Sequence, residues 1–279
     1  PISVIFGAVF FNRMMETSGA MNTLRSWLGN ISENPVAQLM IIGWAFAFML
    51  EGASGFGTPV AIAAPILVGI GFKPMQVVML ALVMNSVPVS FGAVGTPTWY
   101  GFKTLLDSGT IGGEDVSSIG KYSALIHFVA AFVIPILALR FIVSWKEIKQ
   151  NILFILLSVL SCTVPYLLIA QFNYEFPSLV GGAIGLFVSV LLAGKGIGLA
   201  KTELKKEKQP IAAKTLIKAF TPTLLLIIIL VLTRVQQLPF KAMLNDSSEW
   251  LEFSLGELGI FKVSKGLIFS VENIFKTYI

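Results

Sequence analysis

The sequence predicts an all-α polytopic membrane protein that contains a re-entrant hairpin and a broken membrane span. Hydrophobic residues make up 55% of the 279 residues and charged residues 13%, whereas a soluble domain carries about 25% charged residues. Between residues 34 and 102 the only charged side chains are Glu51 and Lys73, and glycine and proline interrupt this same stretch. The composition excludes a disordered chain, a nucleic-acid-binding domain and an ordinary cytosolic enzyme.

Few side chains in the sequence suit a cofactor or a metal ion. The single cysteine, Cys162, lies in an apolar run, so neither a disulfide framework nor a thiolate metal site is predicted. The single histidine, His127, excludes a site built from several histidines and is expected to be a packing residue. We therefore expect no cofactor, no metal and no enzymatic activity.

The N-terminal part of the chain predicts two elements. Residues 1–11 are apolar but too few to cross a hydrocarbon core of about 30 Å, which needs about 20 helical residues. We interpret them as the end of a span whose beginning is absent, and expect the chain to be a piece of a longer protein. Residues 12–34 mix apolar and charged side chains at helical spacing, which predicts an interfacial helix lying on the membrane.

Residues 36–71 predict a re-entrant hairpin. Its two apolar arms would each be about 20 Å long, and the glycine-rich segment 51–59 between them cannot easily continue a helix. This hairpin places residues 12–34 on the inner side of the membrane. In the alternative, residues 36–71 form one broken span that crosses the membrane, and residues 12–34 lie outside.

Residues 75–106 predict a broken span, because a helix that begins near Met75 is interrupted at 85–88 and again at 92–97. Irregular backbone at membrane depth persists only where protein or a water-filled cavity surrounds it. The hairpin tip and this break are therefore expected to face each other and to line a site. Secondary transporters bind their substrates at such discontinuous helices near the midplane.

Windows with few or no charges predict the remaining spans. These spans are 120–143, 151–171, 177–194 and 215–233. Two loops that hold ten of the 20 basic residues lie between 140 and 149 and between 195 and 218. The positive-inside rule places both in the cytoplasm, including the long basic loop 195–214. Residues 234–279 are predicted to be an external loop or a pair of amphipathic helices.

The tripeptide Gly-Thr-Pro occurs twice, at 57–59 and at 95–97. Threonine favours the N-cap of a helix and proline its first turn, while glycine permits a turn and the approach of a ligand. Each tripeptide is expected to begin a short helix within the membrane, and two such helix starts would bind a small carboxylate without a buried arginine. The alternative is that both are ordinary helix starts at the ends of loops.

Glu51 is the only acidic residue between 34 and 102, and an ionisable group in a bilayer marks a functional site by default. We expect it to carry a proton, since burial favours the neutral carboxyl group. Alternatively it is a structural residue that bonds the amides of the hairpin tip. The residues predicted to bind substrate are Ser54, Gly55, Gly57, Thr58, Asn85, Ser86, Gly95 and Thr96. For Asn85 and Ser86 the alternative is that they tie the two breaks together.

Three runs of the sequence resemble the bacterial L-lactate permease family. They are EGASGFGTPVAI at 51–62, LVGIGFKP at 67–74 and PVSFGAVGTP at 88–97. The resemblance implies symport of L-lactate, and of the related 2-hydroxy acid glycolate, with protons across the bacterial inner membrane. It also implies an inverted-repeat transporter, of which this chain would be one half. The missing second repeat, in the same or a separate chain, would complete the substrate cavity.

Two other functions are compatible with the sequence. Broken helices also line channels, so a channel for small anions is one alternative. The other is a non-functional or partner-requiring fragment of a split permease. A channel differs from a symporter in that it cannot concentrate lactate against a gradient.

Overall fold

The computed structural model describes residues 10–11, 13–55, 57–200 and 212–234, together with 251–253, 257–258, 261–262 and 269–271. The chain divides into two compact units, Pro1–Thr223 and Leu224–Ile279. In the first unit every described regular element is a helix, in agreement with the predicted fold class. The predicted end of a span at 1–11 falls almost wholly outside the described residues.

Besides a helical stretch at 13–17, twelve helices are defined among the described residues. They are α1 (Ala20–Ile31), α2 (Pro35–Ser54), α3 (Thr58–Ile70), α4 (Pro74–Asn85), α5 (Gly92–Gly101), α6 (Lys103–Asp107), α7 (Gly113–Ala130), α8 (Ile134–Leu139), α9 (Trp145–Gln150), α10 (Ile152–Ala170), α11 (Pro177–Gly194) and α12 (Ala213–Arg234). Within α2 the segment Leu39–Phe46 is a π-helix, a geometry that is frequent at functional sites. A short 3₁₀ turn, Val89–Phe91, precedes α5.

The described residues between 251 and 271 form short strands. They are β1 (Leu251–Phe253), β2 (Glu257–Leu258), β3 (Phe261–Lys262) and β4 (Phe269–Val271). Strand β1 pairs antiparallel with β4, and β2 pairs antiparallel with β3. This part of the stretch 234–279 therefore contains strand pairs where the sequence suggested an external loop or amphipathic helices.

Helix α2 lies at the centre of the first unit, with Trp44, Phe46 and Phe48 almost completely buried. Asn34 caps its first turn, because the side-chain oxygen accepts hydrogen bonds from the backbone N–H groups of Val36 at 3.0 Å and Ala37 at 3.3 Å. The predicted first arm of the hairpin ends at Leu50, whereas α2 continues through Glu51 to Ser54. At 20 residues it is long enough to cross a membrane.

Glycines allow α11 to approach two neighbouring helices closely. A Cβ atom at Gly182 would collide with the backbone of Met49 in α2, and one at Gly185 would collide with the Cys162 sulfur in α10. The hydroxyls of Ser158 and Ser189 are 2.7 Å apart across the contact between α10 and α11. Small residues and buried hydroxyl pairs of this kind hold helices together in membranes.

Helix α3 folds back along α2, so these two helices form a hairpin. The side chain of Ile70, at the end of α3, lies 3.5 Å from a Cβ position at Gly29, near the start of the hairpin. At the same end Asn34 Nδ2 donates to Asn151 Oδ1 at 2.9 Å and to the Ala200 carbonyl at 3.3 Å. Residue 34 therefore lies beside residues of both basic loops. That residues 36–71 re-enter the membrane, and do not cross it as one broken span, stays a prediction.

Three described helices, α2, α10 and α11, are long and apolar enough to cross a membrane. A fourth crossing is possible if α4 and the bent stretch Val89–Asp107, which meet at 68°, form one span. Helices α10 and α11 match the predicted spans 151–171 and 177–194, and α12 covers the predicted span 215–233.

The predicted span 120–143 is not one helix. Helix α7 begins earlier, at Gly113, and ends at Ala130, and α8 follows from Ile134 to Leu139. Pro135 lies in the first turn of α8, where its missing N–H removes no hydrogen bond within the helix, so proline favours a new helix start here over a continuous helix.

Within the predicted interfacial segment 12–34 the structure contains α1, a helix with one buried face. Met21, Leu24 and Leu28 are buried, and Trp27 makes an edge-to-face contact with Phe220 at 5.4 Å between ring centroids. One side of α1 therefore packs on protein. Its position at the membrane interface stays a prediction.

Candidate functional site

The hairpin tip is built from glycines in backbone conformations that other residues rarely adopt. Helix α2 ends at Ser54 and is capped by Gly55, which has φ 58° and ψ −156°; α3 starts after Gly57, which has φ 79°. Thr58 is the first residue of α3 and is buried, so Gly57 and not the expected threonine occupies the N-cap position. Gly55 and Gly57 therefore mark the turn between α2 and α3.

Glu51 lies one turn before this tip and is only 1% exposed. Its Oε2 atom accepts a hydrogen bond of 3.2 Å from Nδ2 of Asn85, the last residue of α4. On the other side of the carboxyl group is Gly92, where an added Cβ would collide with Glu51 Oε1. No ion pair to Glu51 is formed by the residues that the structure describes.

The second break lies between α4 and the helical part of α5. Ala93, Val94 and Gly95 have φ values of 44°, 54° and 74°, so three consecutive residues adopt left-handed backbone. Such a conformation costs about 1–2 kcal/mol for each non-glycine residue, and it is a genuine outlier for a β-branched residue such as Val94. Strained backbone of this kind is concentrated at functional sites.

The two breaks are in contact, as expected. A Cβ atom at Gly55 would lie 2.9 Å from both the backbone nitrogen and the Cβ of Ala93. Together with the bond between Glu51 and Asn85, this contact joins the hairpin tip to both sides of the broken helix. Gly95 does not face the tip, because it packs against the backbone of Tyr174 and Glu175 in the loop before α11.

Hydroxyl groups satisfy the carbonyls that the break leaves without helical partners. Thr98 Oγ1 donates to the Ser90 carbonyl and Ser178 Oγ to the Pro88 carbonyl, each at 2.6 Å. Tyr166 donates from its phenol oxygen to the Val87 carbonyl at 3.4 Å. Irregular backbone that is paired in this way is tolerated at membrane depth.

Tyr166 also links the break to His127. The Tyr166 hydroxyl lies 2.8 Å from His127 Nδ1, and the Tyr166 ring is wholly buried against Phe48 and Phe91. Sequence reasoning missed Tyr166, Ser178 and Thr98 as parts of the site. The only signal for Tyr166 and Ser178 is a polar side chain within an apolar helix.

The other predicted hydroxyl residues bond to their own helices. Ser54 Oγ donates to the Leu50 carbonyl at 2.9 Å, and Ser86 Oγ donates to the Val83 carbonyl at 2.7 Å. Thr96 Oγ1 donates to the Ala93 carbonyl at 2.6 Å. Each oxygen can still accept a hydrogen bond, but its proton is engaged.

One polar atom at the centre of the site is unpaired. Asn85 Oδ1 is buried and has no hydrogen-bond partner among the described residues. Leaving a buried acceptor unpaired costs about 1–3 kcal/mol.

Across the part of the chain that the structure describes, no cluster of three or more His, Cys, Asp or Glu side chains could hold a metal ion.

Helices that are long and apolar enough to cross a membrane, with two interrupted segments in contact beside a buried carboxyl group, indicate a membrane protein. The chain belongs to the L-lactate permease family, whose family model matches residues 1–279.

The relatives that this chain resembles are named as permeases. It is 62% identical over 275 residues to a Haemophilus influenzae protein named "Putative L-lactate permease", which covers 99% of this chain and 51% of the relative. It is 34% identical to an L-lactate permease of Halalkalibacterium halodurans, over 90% of this chain and 47% of the relative. It is also 34% identical to a glycolate permease of Escherichia coli, over 53% of this chain and 25% of the relative.

The chain spans about half the length of the curated relatives that it matches most fully. No solved structure matches it.

Proposed function

We propose that this chain forms part of a secondary active transporter that carries L-lactate, and related 2-hydroxy monocarboxylates such as glycolate, together with protons. Membership of the L-lactate permease family and the names of the lactate and glycolate permeases among its relatives support the substrate class. We place the protein in the bacterial inner membrane as a multi-pass protein with both basic loops in the cytoplasm.

The environment of Glu51 supports the part of this proposal that concerns proton coupling. The carboxyl group is buried, has no cationic partner among the described residues, and is joined to the other break through Asn85. An unpaired buried carboxylate is costly, so a proton relieves the charge at this position. We propose that Glu51 takes up and releases the transported proton while the two breaks move relative to each other.

We propose that the substrate binds where the tip meets the break, near Ser54, Gly55, Gly57, Thr58, Asn85, Ser86 and Thr96. The contact between Gly55 and Ala93 and the unpaired acceptor on Asn85 support this location. Gly95 would contribute indirectly, by packing against the loop that contains Tyr174 and Glu175. We further propose that the additional length of the relatives corresponds to a second repeat that supplies the rest of the cavity, in the same or a separate chain.

Uptake of labelled lactate into proteoliposomes tests the proposal. With an inward proton gradient, the intact protein should concentrate lactate above its external level, whereas a channel would only equalise the two. Glu51→Gln should abolish this concentrative uptake but keep exchange of internal for external lactate, because glutamine resembles the protonated carboxyl group.

Glu114→Gln is the matched control, since Glu114 is exposed at the start of α7. It should leave uptake unchanged. Concentrative uptake that retains its normal pH dependence in Glu51→Gln would contradict the role of Glu51.

A further inference from the structure

The Asn85 amide carries a hydrogen-bond donor and an acceptor on one rotatable bond, and only the donor has a described partner. In the structure Nδ2 donates to Glu51 Oε2 at 3.2 Å, so the amide presents a donor to the carboxylate. The other end of the amide, Oδ1, is buried and unpaired among the described residues. A half-turn of the side-chain amide exchanges the positions of its oxygen and nitrogen.

An ionised carboxylate only accepts hydrogen bonds, while a protonated one also donates. When a proton binds a carboxylate oxygen of Glu51, the new O–H can donate to Asn85 Oδ1 after the amide turns. The N–H₂ group then occupies the position where Oδ1 lay unpaired. When the O–H bond breaks and the proton leaves, the amide turns back.

Each state of Glu51 therefore leaves a different end of the amide without a partner. With Glu51 ionised, the free end is an acceptor, which is unfavourable next to an anion. With Glu51 protonated, the free end is an N–H₂ donor, which needs an acceptor such as a carboxylate. Hydrogen bonds to charged groups are stronger than neutral ones, so an anionic substrate would be held in the protonated state.

We propose that Asn85 couples the two substrates of the transporter, because its amide offers N–H donors to the substrate carboxylate only after Glu51 has taken up the proton. This inference rests on the proposed function, and it adds an order of events in which proton binding favours lactate binding. By thermodynamic reciprocity, bound lactate favours protonation of Glu51 to the same extent.

Few titratable side chains other than Glu51 lie on the elements that surround it, so few could account for a pH dependence of lactate binding. Helices α3, α4 and α11, which pack around the tip, carry no acidic, basic or other titratable side chain. The titratable groups on the other neighbouring elements are Tyr100 of α5, Tyr166 and Cys162 of α10, and Tyr174 and Glu175 of the loop that contacts Gly95. The side-chain hydrogen bond that the structure describes for Asn85 is the one to Glu51.

Lactate affinity, measured by calorimetry on the intact protein from acid to alkaline pH, tests the inference. The measured quantity is the ratio of the dissociation constants on the alkaline and acid plateaus. In Asn85→Ala this ratio should fall by about tenfold or more, mainly through weaker binding at acid pH, since the lost bond is one to a charged group. Asn85→Leu, which keeps the branched shape without the amide, should give the same result if the alanine variant does not fold.

Gln171→Ala is the control, because Gln171 also carries an amide but is exposed just after α10, and its described side-chain bond is to the Leu167 carbonyl. It should keep the normal ratio. An unchanged ratio in the folded Asn85 variants would overturn the inference, as would a uniform loss of affinity at all pH values.

The variant Glu51→Gln distinguishes an error in the role of Asn85 from an error in the proposed role of Glu51 as the proton site. Its affinity should stay at the acid plateau at every pH. If it instead keeps the normal pH dependence, the proton site itself lies elsewhere. In addition, the infrared C=O band of protonated Glu51 should shift in Asn85→Ala, because its O–H has lost an acceptor, and an unshifted band contradicts the amide rotation.

Discussion

Gly92→Ala should disrupt the site through a single steric contact. The backbone of Gly92, with φ −67° and ψ 161°, is one that alanine adopts without strain. The added Cβ would collide with Glu51 Oε1 and lie 3.1 Å from Cδ and 3.3 Å from Cγ of the same side chain. Overpacking a buried site typically costs about 1–3 kcal/mol. We expect lower thermal stability of the purified protein and loss of proton-driven lactate uptake.

A second substitution identifies the contact responsible. Glu51→Asp shortens the side chain by one methylene and withdraws the carboxylate by about 1.5 Å, the length of a C–C bond. The double variant should therefore regain stability relative to Gly92→Ala, with a coupling of about 1 kcal/mol. Uptake should not return, because the shortened carboxylate no longer reaches Asn85.

Gly101→Ala is the control in the same helix, since a Cβ there has nothing within 4 Å. It should unfold at the normal temperature. Equal stability of Gly92→Ala and Gly101→Ala would refute the reasoning, and so would the absence of any rescue by Glu51→Asp.

Two further predictions concern stability. Ser178→Ala should lower the free energy of unfolding by about 1–2 kcal/mol, because it leaves the buried Pro88 carbonyl without its 2.6 Å donor. Thermal unfolding checks this against Ser108→Ala, which removes an exposed hydroxyl. Equal unfolding temperatures of the two variants would contradict the prediction. The hydroxyl and N–H of Ser144 donate to Glu147 and hold the pKa of that carboxyl below its ordinary value of 4.5. The bonds therefore stabilise α9 fully above pH 4.5 and are lost as the pH falls through the lower folded-state pKa. The stability difference between the protein and Ser144→Ala should shrink over that acid range, and a constant difference would count against this effect.

The sequence predicts the two breaks because glycine and proline act locally. The positive φ angles at Gly55 and Gly57 follow from residue type, and the bend after Asn85 lies where Pro88 and the glycines interrupt an apolar helix. The contact between the breaks also follows, since unpaired backbone in a membrane must be enclosed.

Other features depend on long-range packing and could not be predicted. Ser178 and Tyr166 reach carbonyls that lie 90 and 79 residues away in the chain, so no local pattern relates them to the break. The left-handed backbone of Ala93 and Val94 contradicts the local preference of both residues and persists because the surrounding helices enclose it. The interruption before Pro135 was predictable from residue type, but the apolar run on either side favoured one span.

Simultaneous measurement of lactate and proton movement tests the central claim most directly. Proteoliposomes that enclose a pH-sensitive dye would be given an inward lactate gradient with no initial pH difference. The account predicts that lactate entry acidifies the interior, that Glu114→Gln behaves like the unmodified protein, and that Glu51→Gln shows no acidification while it still exchanges lactate. Lactate entry without proton movement in the unmodified protein, or undiminished proton movement in Glu51→Gln, would contradict it.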